Sequence, residues 1–338
     1  MVTILKRVVA HILGDYLHQV WVFAVAKRGL NLREADRLEV TTLVDNYSDL
    51  LLLESTDVVR RPQVAPPDCL LAEHGLSCLL KVFVGSEEHV VLVDAGISPT
   101  SLFYNAGVLK TDLRIVESVF LSHGHFDHFG ALTRFLENSG REIPLTLHPE
   151  AFLQRRLNIP MFKRILEMTQ LDEKALSKAG ALLHKEKETS TLASGLVLVS
   201  GEVERATDFE KGFPWAEAKI DGNWVVDPFH DDQGVAVNVK GKGLVVIGGC
   251  SHAGIINTVR HLQRVAGGER IHAVLGGFHL TGRLFDPIIG PTIQEMKRLG
   301  PDFVVPMHCT GWKAINQFAA EMPEQFLLNT VGTTYVFQ

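Results

Sequence analysis

Five apolar runs in this chain end directly in a residue of metal-site chemistry. They are VVLVDAG (90–96), SVFLSH (118–123), LVVIGGCSH (244–252), HAVLGGFH (272–279) and DFVVPMH (302–308). Short runs of β-branched or aliphatic residues bounded by glycine mark buried strands. Helical periodicity follows three polar loops. After His128 it runs through Phe129, Leu132, Phe135 and Leu136 to a stop at Gly140. After His252 it runs through Ile255, Ile256, Val259, Leu262 and Val265 to Gly267 and Gly268. After Gly290, Pro291 suits a first helical turn and Gly300 a stop. This grammar of strand, polar loop and helix restricts the chain to α/β architectures, where sites collect at the carboxyl ends of strands.

The first half reads differently. LEVTTLVDNYSDLLLL (38–53) and SCLLKVFVGSEEHVVLVDAG (77–96) read as consecutive strands, with a hairpin turn at Gly85-Ser86-Glu87-Glu88. Together the two halves predict a sheet sandwich covered by helices. The charged segment at about 149–190, broken at Asn158-Ile159-Pro160, is expected to be a helical cap inserted into a domain spanning 38–338. The stretch 201–235, rich in turn residues, predicts irregular loops and a short strand pair near the site. Residues 1–37 are expected to form a helical extension. Within it, Val8–Ala26 is largely apolar but carries His11, Asp15, His18 and Gln19. A charge at mid-span is costly in a bilayer, so an amphipathic helix packed on the body or on a second subunit is expected, with no membrane partner.

Composition enters as exclusion. Hydrophobic residues at 46% and charged residues at 21% permit a large core in 338 residues. A net charge of −6 supplies no basic footprint, which argues against a nucleic-acid partner. The four cysteines, Cys69, Cys78, Cys250 and Cys309, form no C-x-x-C pair, so a reducing, cytoplasmic setting is expected. No G-x-S-x-G site or phosphate-binding P-loop competes for the chemistry.

What remains is LSHGHFDHFG (121–130). In an extended loop, residues two apart project to one side, so His123, His125 and Asp127 can converge. His128, entering a helix, points about 100° away from Asp127. Two histidines can hold one metal, and Asp127 with His128 a second. Imidazole and carboxylate suit zinc, iron or manganese. A lone histidine at a strand end is commonly a hydrogen-bonded core residue, and Asp127 alone would pass for a helix N-cap. The crowding of all four into six positions favours a metal site.

H-x-H-x-D-H after a buried strand resembles the signature of the metallo-β-lactamase superfamily, here as His123, His125, Asp127 and His128. Further stretches agree in order. LVDAG (92–96) resembles the upstream strand-ending aspartate, which implies that Asp94 orients the site. IGGCSHAG (247–254) stands where a metal-bridging Asp or Cys is usual, and VVPMHCTG (304–311) resembles the last ligand strand, giving His308. LVDN (43–46), AEHGLSCLL (72–80), GEVERATDFEKG (201–212), DDQG (231–234), GGFHLTG and HCTG look like one subgroup, named after a dihydropterin-linked ribofuranosylaminobenzene phosphate synthase. The chain departs from the general pattern at the usual third histidine. His230, Asp231 and Asp232 are the nearest residues to that place, and His252 is expected to take the role ahead of Cys250 as a direct ligand.

The resemblance implies a four-layer αββα sandwich with a helical insertion, and two divalent ions, zinc first, held by His123, His125, Asp127, His128 and His308, to which the projection of residues two apart adds His252. It implies a hydrolase in which a bridging hydroxide attacks a carbonyl or phosphoryl centre, on a small anionic substrate of phosphate-containing or pterin-like character. Asp127 is expected to double as proton shuttle, and His279 to contact substrate or support the site. Arg205 and Lys211 are cations near the site, though a solvated charged face is their commoner role. An oligomer is compatible with this reading. Two alternatives are a flavodiiron-like oxidoreductase, which carries a carboxylate where this chain has His125 and needs a flavin module, and a metal-free binding protein on the same fold.

Overall fold

The structure, a computed structural model, describes residues 32–338. The expected helix at 8–26 lies outside the described residues. The described part is built on two large sheets and one small one. An eight-stranded sheet runs in the order Ala181–Lys185, Ile143–Leu147, Ser118–Phe120, Glu87–Val93, Ser77–Val84, Arg37–Val44, Thr334–Phe337 and Val59–Arg60. A seven-stranded sheet places Ser190–Leu192, Val197–Val199, Gly234–Val239, Gly243–Gly248, Ile271–Gly277 and Phe303–Met307 side by side, with Glu34–Ala35 added along Gly234–Val239.

Period-two alternation turns these strands into four layers. Leu80, Val91 and Phe120 of one sheet meet Val237, Val245 and Leu275 of the other in a fully apolar inner core. Their neighbours point outward. Leu79, Leu92 and Val119 pack beneath Leu102, Phe135 and Leu136 of the helices Pro99–Val108 and Leu132–Ser139. On the far side, Val246 and Val274 pack under Ile256, Val259, Ile293 and Phe318 of the helices Ile255–Val265, Asp286–Leu299 and Trp312–Glu321. The fold is the αββα sandwich expected.

The expected hairpin forms with a tighter turn, Gly85-Ser86, joining Ser77–Val84 to a strand Glu87–Val93 that already includes Glu87 and Glu88. Gly140 and Gly300 end their helices in the left-handed conformation, with φ of 64° and 63°. One helix boundary differs. The last-but-one helix starts at Asp286, so Pro287 fills the first-turn position and Pro291 lies inside.

A larger difference concerns 149–190, expected to be helical. Among the described residues it holds one α-helix, Glu173–Lys178, while Arg155–Ile159 and Arg164–Glu167 are strands. These join Ala216–Ile220 and Asn223–Val226 in a four-stranded antiparallel sheet. The edge strand Arg164–Glu167 is largely exposed, so the apolar alternation that identifies a strand is missing there. The strand at Glu34–Ala35 and the start of Arg37–Val44 likewise show that the described end of the 1–37 segment is extended chain. No helix among the described residues is long and apolar enough to cross a membrane.

Candidate metal centre

The strands Glu87–Val93, Ser118–Phe120 and Ile143–Leu147 are parallel in one sheet, and Gly243–Gly248, Ile271–Gly277 and Phe303–Met307 in the other. Their carboxyl ends bring Asp94, His123, Cys250, His252, His279 and His308 to one edge of the sandwich. Asp94, Ser251, His279 and His308 have positive φ, between 44° and 58°, although none is glycine. Left-handed backbone at such residues is costly and collects where function demands a particular side-chain direction.

Three donor groups form at this edge, two of them fully buried. Asp127, His128, Cys250 and His308 offer donor atoms within 4.8 Å of one another, as do His123, Cys250 and His252, and as do Cys250, Cys309 and the half-buried His279. Cys250 belongs to all three. Its Sγ lies 3.2 Å from His128 Nε2 and 3.3 Å from His308 Nε2. His125 joins through its Nδ1, 3.1 Å from His252 Nε2, and its ring centroid lies 4.6 Å from that of His123. All six residues expected as ligands are therefore brought together. The structure adds Cys250, which the expectation had ranked behind His252. Asp231 is turned away from such a role because both its oxygens are engaged, by Gly124 N–H at 2.8 Å and by Arg155 at 2.7 Å. Asp232 Oδ2 accepts from Ala253 N–H, and His230 pairs with Glu150 at the surface.

Protonation suits three of the imidazole donors, while burial pushes the Cys250 thiol well above its usual range. Burial holds His123 and His252 well below the usual imidazole range and His125 down to about 3, so all three are neutral and present lone pairs. His123 Nε2 is buried without a hydrogen-bond partner. An unpartnered buried nitrogen is costly, and a cation would relieve it. His128 differs. Burial pushes it down, but Asp94 and Asp127 outweigh that and raise it to about 9. Asp94 Oδ2 lies 2.6 Å from His128 Nδ1 and accepts from Ser122 Oγ at 2.8 Å, while Asp94 Oδ1 accepts from Ser122 N–H. Asp94 thus sets the ring so that Nε2 faces Cys250, the orienting role the resemblance implied.

The loop itself is shaped by close approach. A Cβ at Gly124 would fall 2.0 Å from the Ala151 carbonyl oxygen, so only glycine fits between His123 and His125.

Around the donors stand supporting residues, most of them in stretches quoted above, while Arg155 and Asp227 carry no sequence signal that singles them out. Asp45 Oδ1 accepts from the His308 backbone N–H at 2.8 Å, and Asn46 donates to the His308 carbonyl, which explains LVDN. Arg155, 3% exposed, donates to Asp227 and Asp231 and so ties the small sheet to the ligand loop. His74 Nε2 lies 3.3 Å from Asp127 Oδ2, with 58% of its side chain exposed at the mouth. His279 stands 4.2 Å from His252 between ring centroids, and its Nδ1 has no partner. Arg205 donates to the Pro228 carbonyl, and Lys211 is exposed.

A four-layer sandwich with this donor set at its strand ends defines a class, and the chain belongs to the metallo-β-lactamase superfamily. The model of that superfamily matches residues 82–159, which include the whole histidine–aspartate motif. Among named relatives, the chain is 29% identical over 300 residues to the 7,8-dihydropterin-6-methyl-4-(β-D-ribofuranosyl)-aminobenzene-5'-phosphate synthase of Methanocaldococcus jannaschii, covering 88% of this chain and 96% of that one. An uncharacterized protein of the same organism is 30% identical over 256 residues, covering 73% and 88%. Among solved structures, Tm1679, a metal-dependent hydrolase of the β-lactamase superfamily, superposes with a TM-score of 0.68 at 26% identity, covering 88% of this chain and 98% of that one.

Proposed function

We propose that this protein is a binuclear metal-dependent hydrolase acting on a small anionic substrate, phosphate-containing or pterin-like. The observation that carries the reading is the convergence of seven buried donors on one edge, with Cys250 common to the two fully buried groups. His123, His125 and His252 would hold one ion, and Asp127, His128 and His308 the other, with Cys250 Sγ available to both. Zinc fits best, since thiolate and imidazole together favour it over manganese or iron. Bound there, the ions supply a nucleophilic hydroxide near neutral pH and Lewis acidity toward a carbonyl or phosphoryl oxygen.

The protein's own groups do the rest. Asp94 and Asp45 fix His128 and His308 from behind, so the donors are set before substrate arrives. Asp127 Oδ2 can hold a proton released at the centre and pass it 3.3 Å outward to His74 Nε2, which reaches solvent. His279, facing the centre beside His252, is placed to touch the substrate. The relative's name supports pterin or phosphate chemistry, and the Tm1679 match supports hydrolysis.

A panel of phosphomonoesters, phosphodiesters, lactones and thioesters, assayed with zinc and after chelation, tests the reading. Turnover of at least one class is expected, lost on chelation and in a folded His123→Ala variant. Turnover indifferent to chelator and to that variant would refute it.

A further inference from the structure

Next to the donors lies a cavity of about 170 Å³ that the mechanism above does not use. Phe209, Phe278, Leu280, Phe285 and Ile288 line it. His252 and His279 also line it, so the cavity reaches the candidate metal centre. His279 stands edge-on to Phe285, with centroids 4.7 Å apart and planes at 87°. Glu210 also lines the cavity, but its carboxylate is committed: it accepts from the N–H groups of Ile256 and Asn257 at 2.9 Å and from Thr207 Oγ1 at 3.0 Å. What it offers a ligand is thus mainly aromatic and aliphatic surface, with Lys211, Ser251 Oγ and the two imidazoles as its polar groups.

Size narrows the occupant. An apolar cavity of about 150 Å³ holds one benzene ring. Aromatic walls favour a flat ring through edge-to-face contact. We propose that this cavity is a specificity pocket for a single six-membered aromatic ring attached next to the bond that is cleaved. The position of that bond rests on the hydrolase reading. The pocket itself does not. A fused bicycle would project out of its open side, so of the two substrate classes above, the geometry favours a phosphate compound carrying one ring over a pterin seated here.

Calorimetric titration of the zinc-supplemented protein with methylphosphonate, phenylphosphonate and 2-naphthylphosphonate tests this. Phenylphosphonate should bind about tenfold or more tightly than methylphosphonate, the gain expected from taking a ring out of water. 2-Naphthylphosphonate should lose that gain. Ile288→Trp, which fills the pocket, should bring phenylphosphonate to the methylphosphonate level and leave methylphosphonate unchanged. Leu284→Trp serves the same purpose should the first variant fail to fold. Equal affinity for the methyl and phenyl compounds, no binding of either, naphthyl binding as tight as phenyl, or a folded tryptophan variant that keeps the preference would each overturn the proposal. Parallel turnover assays separate the two readings. Ring-selective binding without hydrolysis of any ester leaves the pocket and removes the hydrolase. Hydrolysis of phenyl and methyl esters with equal kcat/KM leaves the hydrolase and removes the pocket.

Discussion

Cys250 is the residue on which the centre turns. Its thiol belongs to all three donor groups, whereas His252 belongs to one. Serine in its place offers a poor ligand, so Cys250→Ser is expected to lower metal content at both positions, and His252→Ala at one. In the cobalt-substituted protein, loss of the thiolate-to-metal absorption in Cys250→Ser checks the same point. An unchanged spectrum would put the thiol outside the coordination shell. Sequence reasoning ranked these two residues the other way for a physical reason. Which of two side chains in Cys250-Ser251-His252 turns inward depends on the backbone, and the left-handed φ of 58° at Ser251 bends the loop so that both do. The motif at 123–128 was legible because its donors are contiguous and their convergence follows from extended-chain geometry alone.

At the scale of elements, the strand ends and the helices behind them were legible from apolar runs and glycine stops. The small sheet at 155–226 was legible by half. The strand pair expected within 201–235 is Ala216–Ile220 with Asn223–Val226, but Arg164–Glu167 has no buried face, so its charge masked the strand character of the other half. This sheet bears on the centre through Arg155, whose guanidinium bridges Asp227 and Asp231, the latter accepting from Gly124 N–H in the ligand loop. Arg155→Met leaves two buried carboxylates without their cation. Breaking a buried pair from one side costs about 3–5 kcal/mol. Denaturant unfolding should show a loss in this range, accompanied by weaker metal retention. A loss well below 1 kcal/mol would mean the network contributes little.

For the whole molecule, the αββα layering follows from two sheets that each bury both faces, and the resemblance carried by the histidine motif anticipated it. At the centre, His123 Nε2 is buried and unpartnered beside a cluster of neutral imidazoles. Metal bound to such a site stabilises the folded chain. A ligand present at about a thousand times its Kd adds about 4 kcal/mol. Removing metal with a chelator is therefore expected to lower the melting temperature by several degrees, and zinc to restore it. No change in melting temperature would separate the donor cluster from metal binding. Elemental analysis of the protein purified in chelator-free buffer tests the central claim most directly. The two-metal account predicts about two transition-metal ions per chain, falling toward zero in a folded His123→Ala, His128→Ala double variant. A protein that retains no transition metal at any loading would contradict it.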